Sequence, residues 1–375
     1  MKIKQYEVRG LNGGVDFSFD FHDDLNILTG LNGSGKTTAL KFAWYLISGS
    51  TIRIRREIEF RWCRIVTDKF ELILERLPSS SDISYSFHSF ADEHRVDANF
   101  NEPIGFDSDG GIMEDGEDHL SELIRALSDK SIYFPTFRRI EGGYSILKRA
   151  GRFGFGSSTR ADSGLGEQLE QITKALSNGD HKFVCAISTE DIAALLTQRY
   201  AQISEGVNKK YADFSSMILR DIRAWEHGDT TVDSSSDLLL RQIQDAANEV
   251  DAFRELTLKP FNVLSELVAK LFSYQGVKVK GGLALGDAAQ AIDSDILSAG
   301  EKQMLSFLVY NAFAVNTPIF IDEPELSLHP DWQRRLFPTL LDQQSSNQFI
   351  VSTHSPFIYA KYSDRELMIN ADRGD

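Results

Sequence analysis

The chain has 375 residues, 42% hydrophobic and 25% charged, the balance of a globular protein able to bury a core. Forty Lys and Arg against 55 Asp and Glu leave a formal charge of −15, which argues against a general polyanion binder but permits a local basic patch. The longest nearly apolar run, 304–315, is far short of the ~20 residues that cross a bilayer, no secretory signal is visible, and Cys63 and Cys185 make no disulfide framework, so a cytoplasmic chain with no membrane partner is expected.

Residues 2–9 read as a strand, Asn12-Gly13-Gly14 as a turn, and 15–21 as a half-buried strand with Val15, Phe17, Phe19 and Phe21 on one face. A short apolar strand, 25–29, runs into the glycine loop Gly30-Leu31-Asn32-Gly33-Ser34-Gly35-Lys36-Thr37, and a helix is expected over 36–48. The loop fits the P-loop pattern in full, in its strand-to-helix context. Its glycines let backbone N–H groups wrap phosphates, and the helix N-terminus favours their charge. Lys36 is expected to reach the β- and γ-phosphates of ATP and Thr37 to hold Mg2+. Gly30, Asn32, Gly33, Ser34, Gly35 and Thr38 complete this part of the candidate nucleotide site.

Residues 51–76 read as further strands carrying Arg53, Arg55, Arg56, Arg61 and Arg64. Such a run is either a nucleic-acid contact or the solvated face of an edge strand. An acidic, glycine-rich loop over 105–118 precedes a helix at 119–129 and a strand at 131–134 that ends at Pro135; a Gly/Ser-rich loop covers 151–166. From 188 to 272 the period changes: Val207, Tyr211, Phe214, Ile218, Ile222 and Trp225 recur at helical spacing, as do Leu239, Ile243, Ala246, Val250 and Phe253. This predicts an inserted bundle or short helical hairpin, with helices of ~20 residues and ~30 Å. Strand signals return at 277–285, and 318–355 alternates strand, helix and strand.

Three further motifs follow. Ile319-Phe320-Ile321-Asp322-Glu323 is an apolar strand ending in two carboxylates, the Walker B arrangement: Asp322 would bind Mg2+ through its water shell and Glu323 would orient the attacking water. Leu297-Ser298-Ala299-Gly300-Glu301-Lys302-Gln303 opens a helix over 300–314 with Ser298 as its cap. Phe349 to Ser352 is a strand followed by Thr353-His354-Ser355-Pro356.

Together these segments resemble the ABC-type P-loop ATPases of the SMC, RecF and OLD-like group. The Leu297–Gln303 segment resembles their signature motif, Glu325 to Pro330 their D-loop segment, and His354 their switch histidine. The resemblance covers 1–50 and 277–370, and no Q-loop glutamine is assigned. It implies an α/β fold, an ABC-type ATPase head with a mixed sheet and the helical insertion. Its boundaries would be an N-terminal lobe at 1–187, the insertion at 188–272 and a C-terminal lobe at 273–375. It also implies a head-to-tail homodimer or higher oligomer in which Ser298, Gly300 and Glu301 of one subunit complete the ATP site of the other, with Glu323 and His354 catalytic and Thr37 and Asp322 on Mg2+.

The stretch Ile132 to Gly142 resembles one in ATPases of bacterial antiphage systems, namely Septu, Septu-like retrons and PARIS, and it adds Arg138 and Arg139 as candidate contacts to nucleotide phosphate or nucleic acid, with a salt-bridged strand end as the other reading. With only 21 residues after His354, no nuclease domain is expected in the chain, so an effector would be a separate protein. The reading is therefore an ATP-driven switch of a defence complex, with a RecF- or SMC-like DNA-repair ATPase as the alternative.

Overall fold

The computed structural model describes residues 1–77, 82–90, 95–99, 116–136, 171–185, 189–226, 236–273 and 298–369. The chain divides into two compact units, Met1–Ser188 with Ser298–Asp375, and Thr189–Leu297.

The strands of the first unit are β1 (Ile3–Leu11), β2 (Val15–Asp20), β3 (Leu25–Thr29), β4 (Trp62–Thr67), β5 (Phe70–Arg76), β6 (Ile83–Ser89), β7 (Arg95–Asn99), β8 (Ser131–Phe134), β9 (His181–Phe183), β10 (Pro318–Asp322), β11 (Gln348–Ser352) and β12 (Glu366–Met368). Its helices are α1 (Lys36–Ser48), α2 (Thr51–Glu57) and α3 (Gly116–Leu127), then α6 (Ala299–Phe313), α7 (Pro330–Asp342) and α8 (Pro356–Tyr359); α4 (Thr189–Glu226) and α5 (Ser236–Ser273) lie in the second unit.

Parallel and antiparallel pairing are divided between two sheets. One, ordered β2-β1-β4-β5-β6-β7, is antiparallel throughout; the other, β12-β3-β11-β10-β8-β9, is parallel throughout. The sequence carries the distinction. β2 and β4 to β6 alternate buried and partly exposed residues, as a sheet with one solvated face requires, whereas β3, β10 and β11 are buried at every position. α1 is apolar nearly all round because it is covered on several sides. Tyr6 donates from its hydroxyl to the Ala39 carbonyl at 3.1 Å, Phe42 lies 4.8 Å from Phe60, and Trp44 lies 5.3 Å from Tyr133 of the parallel sheet. Truncating a ring such as Phe42, which is fully buried, would cost about 3–5 kcal/mol.

The expected strand at the start of 51–76 is a helix instead. Ile52 and Ile54 mimic strand alternation, but Ile52 is exposed while Thr51, Ile54 and Ile58 are buried, a helical spacing. Gly49 ends α1 in the left-handed conformation at φ 64°, which turns the chain into α2. Lys41 then clamps Glu57 at 2.6 Å. Arg53, Arg55 and Arg56 thus sit on a helix, and strands begin only at Trp62.

In the second unit α4 and α5 have 38 residues each, about 57 Å at 1.5 Å per residue, longer than the expected ~20. They run antiparallel: Lys210 pairs with Glu249 at 3.5 Å, Tyr211 donates to Asp251 at 3.2 Å, and Tyr200 meets Phe261 at 5.8 Å. The apolar spacing continues beyond the two periodic runs, with Ile192 and Leu196 of α4 and Phe261 of α5 buried, and this supports the added turns. The expected strand at 277–285, the loop at 151–166, and Arg138 and Arg139 lie outside the described residues; so do 105–115 of the loop expected at 105–118, whose last three residues instead open α3.

Candidate functional site

The site gathers where the C-terminal ends of β3, β8, β10 and β11 meet the start of α1. The loop after β3 turns on Gly30, Gly33 and Gly35, with φ of 147°, 81° and 90°. A Cβ on Gly30 would sit 2.6 Å from the Ile369 carbonyl oxygen, so only glycine allows that approach. Lys36 is 4% exposed, and its ammonium donates to the carbonyls of Gly30 at 3.2 Å and Leu31 at 3.1 Å. Burial lowers its pKa, against the opposing pull of Glu323, Asp322 and Glu325. The Ser34 hydroxyl is buried with no partner among the described residues. Asn32 is exposed, and Thr38 accepts a hydrogen bond from Asn12 at 3.3 Å.

Asp322 is fully buried and its charge is met by hydroxyl groups. The Thr37 hydroxyl donates to Oδ1 at 3.0 Å, Ser352 donates to the same oxygen, and Thr136 donates to Oδ2. Thr37 and Asp322, paired by the sequence reading, therefore stand together. Glu323 and His354 do too, with Glu323 Oε1 3.4 Å from His354 Nε2. Glu323 has a left-handed backbone, φ 50°, costly for a side-chain-bearing residue and held by its N–H donating to the Ser352 carbonyl at 3.0 Å.

Its carboxyl is pushed up to about 8, first by burial and then by the adjacent Glu325 and Asp322, with Lys36 opposing. Burial and then the charge of Lys36 hold His354 below the usual imidazole value. Glu325 spans the gap to the switch strand: it accepts from the Thr353 hydroxyl and from the His354 N–H, each at 2.8 Å.

The signature residues group with the turn after Glu325. Ser298 and Glu301 form a reciprocal capping box, and a Cβ on Gly300 would sit 2.5 Å from the Ser327 carbonyl oxygen. Glu301 is 7% exposed and spends its carboxylate on the Ser298 N–H and hydroxyl. Gln303 donates to the Pro324 carbonyl at 2.8 Å, joining this helix to the loop after Glu323. Of the arginines expected at nucleic acid, Arg53 is engaged within the fold, donating to the Ala175 carbonyl at 2.6 Å and pairing with Glu57 at 3.8 Å. Arg64 likewise pairs with Glu71 at 2.6 Å.

Thr136, Ser352, Thr353 and Glu325 escaped the sequence reading as site residues. Each lies inside a segment singled out above, Thr136 in Ile132–Gly142, Glu325 in the D-loop segment and Ser352 and Thr353 at the switch strand, but no motif marked the residue itself.

The residues fit a magnesium nucleotide. Three carboxylates crowd one end of the sheet, Asp322 fully buried and Glu323 and Glu325 half-buried, and such crowding favours a cation. Among the described residues no cluster of three His, Cys, Asp or Glu forms a metal cage. One carboxylate with a hydroxyl and phosphate oxygens is the ordinary way to hold Mg2+.

A family model described as AAA ATPase domain matches residues 1–359. Two proteins named DNA replication and repair protein RecF, from Desulfitobacterium hafniense strains DCB-2 and Y51, are each 40% identical over 63 residues, covering 16% of this chain and 17% of theirs. Retron Ec83 probable ATPase of Escherichia coli is 38% identical over 73 residues, 16% of this chain and 14% of that protein. The match thus spans about a sixth of the length of these curated relatives. A crystal structure of the Smc head domain with an extended coiled coil, bound to the C-terminal domain of ScpA from Pyrococcus furiosus, aligns over 96% of this chain and 91% of that one, at 11% identity and a TM-score of 0.38.

Proposed function

The chain belongs to the AAA ATPase domain family, and from that premise we propose that it binds and hydrolyses Mg-ATP to switch a separate effector protein in a bacterial antiphage complex. The observation that carries the ATPase reading is the convergence of Lys36, Thr37, Asp322, Glu323 and His354 at one end of the parallel sheet. Thr37 and Asp322 would hold Mg2+, which supplies charge neutralisation at the phosphates. Lys36 exchanges its two carbonyl partners for phosphate oxygens, and the Ser34 hydroxyl gains a partner it lacks within the fold. Glu323, deprotonated as cationic charge enters the carboxylate cluster, takes the proton of the attacking water; His354 beside it steadies the same water or the γ-phosphate.

Two copies of the chain would meet head to tail, each offering Ser298 and the amides of its signature helix to the other's ATP. Exposed apolar side chains on the P-loop (Leu31, 59%), the turn after Glu323 (Leu326, 47%) and the switch helix (Phe357, 41%) support a covered surface there. The effector role is supported by the Ile132–Gly142 resemblance and the retron ATPase match. The RecF matches favour the alternative, a repair ATPase that binds DNA. Among the described residues no helix is long and apolar enough to cross a membrane.

Glu323→Gln tests the chemistry. ATP binding is retained and turnover falls by about 100-fold or more, the scale of losing a general base; unchanged turnover removes Glu323 as the base. Tagged chain loaded with Mg-ATP is expected to capture an effector protein. Capture of duplex DNA with a steep salt dependence would favour the repair reading instead.

A further inference from the structure

We propose that Thr136 is a positioning residue of the magnesium–nucleotide site: its hydroxyl fixes Oδ2 of Asp322 and accepts a hydrogen from a metal-bound water. The inference rests on the Mg-ATP reading above and assigns a role that no sequence motif assigned.

Asp322 is approached from two sides. Thr37, at the start of α1, and Ser352, at the end of β11, both donate to Oδ1; Thr136 donates to Oδ2. A threonine hydroxyl carries one hydrogen and two lone pairs. Having given its hydrogen to Asp322, Thr136 has only lone pairs left to offer, so the next group it serves must be a donor. Water on a divalent cation is a strong donor, and Mg2+ characteristically keeps several waters.

The placement of this hydroxyl is built into the sheet. β8 lies parallel and next to β10, with Phe134 in register with Ile321, so the chain just past β8 runs beside the chain just past Ile321. Phe134 is fully buried, wedged edge-on 5.0 Å from Phe307 and 5.3 Å from Tyr310 of α6. The other end of β8 is pinned at Ser131, which accepts from Trp44 at 2.9 Å and faces His181 at 2.8 Å. Pro135 fixes its own φ and removes a backbone donor, which ends the ladder and frees the next residue to turn toward Asp322. Thr37 and Ser352 both serve Oδ1, so Thr136 meets the other oxygen of this buried carboxylate and sets the direction in which Oδ2 is held.

Thr136→Val keeps the shape and removes the hydroxyl; Thr136→Ser keeps the hydroxyl. Each is titrated with Mn2+ in the presence of a non-hydrolysable ATP analogue, read by electron paramagnetic resonance, and the analogue's affinity is measured separately in EDTA. Thr136→Val is expected to weaken Mn2+ binding by about tenfold or more, the usual effect of removing a group that orients a metal ligand, with unchanged analogue affinity in EDTA. Thr136→Ser should restore Mn2+ affinity. Unchanged Mn2+ affinity in the Val variant, an equal loss of analogue affinity in EDTA, or failure of Ser to rescue would each overturn the role. Failure of the unaltered protein to bind the analogue at all would overturn the underlying Mg-ATP reading as well, and so is distinguishable.

Discussion

His181 makes the fold acid-sensitive in a way that can be worked out in advance. It lies on β9, is 2% exposed, and faces the Ser131 hydroxyl, which also accepts from the Trp44 indole. Burial pushes its pKa down to about 4, with Arg125 adding to the depression and Asp180 and Asp129 opposing it. The folded form therefore holds His181 neutral where an unfolded chain, with a histidine value near 6.5, takes up a proton. Stability is fully present above pH 6.5, is lost as the pH falls through the window, and stops falling below about 4. With those two values the loss from this one residue is about 1.4 kcal/mol at pH 5.5, about 2 at pH 5 and about 3 at pH 4.

His181→Asn retains a short side chain able to bond Ser131 but cannot be charged. Urea unfolding followed by tryptophan fluorescence, at steps from pH 7.5 to 4.5, is expected to give a shallower acid loss for the variant. Carboxylates contribute equally to both proteins, so the difference between the curves isolates His181. Parallel curves across this range would refute the reasoning.

Glu325→Gln leaves one acceptor where the Thr353 hydroxyl and the His354 N–H now have two, so one donor near the switch goes unmet at a cost of about 1–3 kcal/mol. Steady-state turnover is expected to fall by about tenfold while nucleotide affinity stays within about threefold, because the carboxylate orients His354 and lies off the phosphate cradle; equal losses in both would assign Glu325 to binding. Gly300→Ala should lower the melting temperature, since its Cβ would press to 2.5 Å on the Ser327 carbonyl oxygen and force a backbone shift costing about 1–3 kcal/mol. A variant as stable as the parent would show that the helix start and the turn are not packed this tightly.

The P-loop was legible because its function is local: glycines, lysine and threonine lie in one continuous loop between a strand and a helix. The same holds for Ser298, whose cap needs only Glu301 three residues on. The strands β3, β10 and β11 announced themselves as short, mainly apolar runs, the pattern of parallel strands covered on both faces. Residues 51–57 misled because Thr-Ile-Arg-Ile-Arg alternates like a strand, and its helical state depends on Gly49 and on burial of Ile54. The helices of the second unit ran longer than expected because their apolar spacing continues outside 207–225 and 239–253, through Ile192, Leu196 and Phe261.

What the sequence determined by itself, then, is the set of phosphate-handling groups and the strands that end in them, since these depend on neighbours a few residues apart. What only the tertiary structure decided is who shares Asp322 and Glu323. Thr37, Thr136 and Ser352 reach Asp322 across separations of 285, 186 and 30 residues, and Glu325 reaches the His354 N–H across 29. A hydroxyl-bearing residue leaves no signal of what it faces until parallel strand order brings β8, β10, β11 and the start of α1 to one edge, where a buried carboxylate must find donors or a cation.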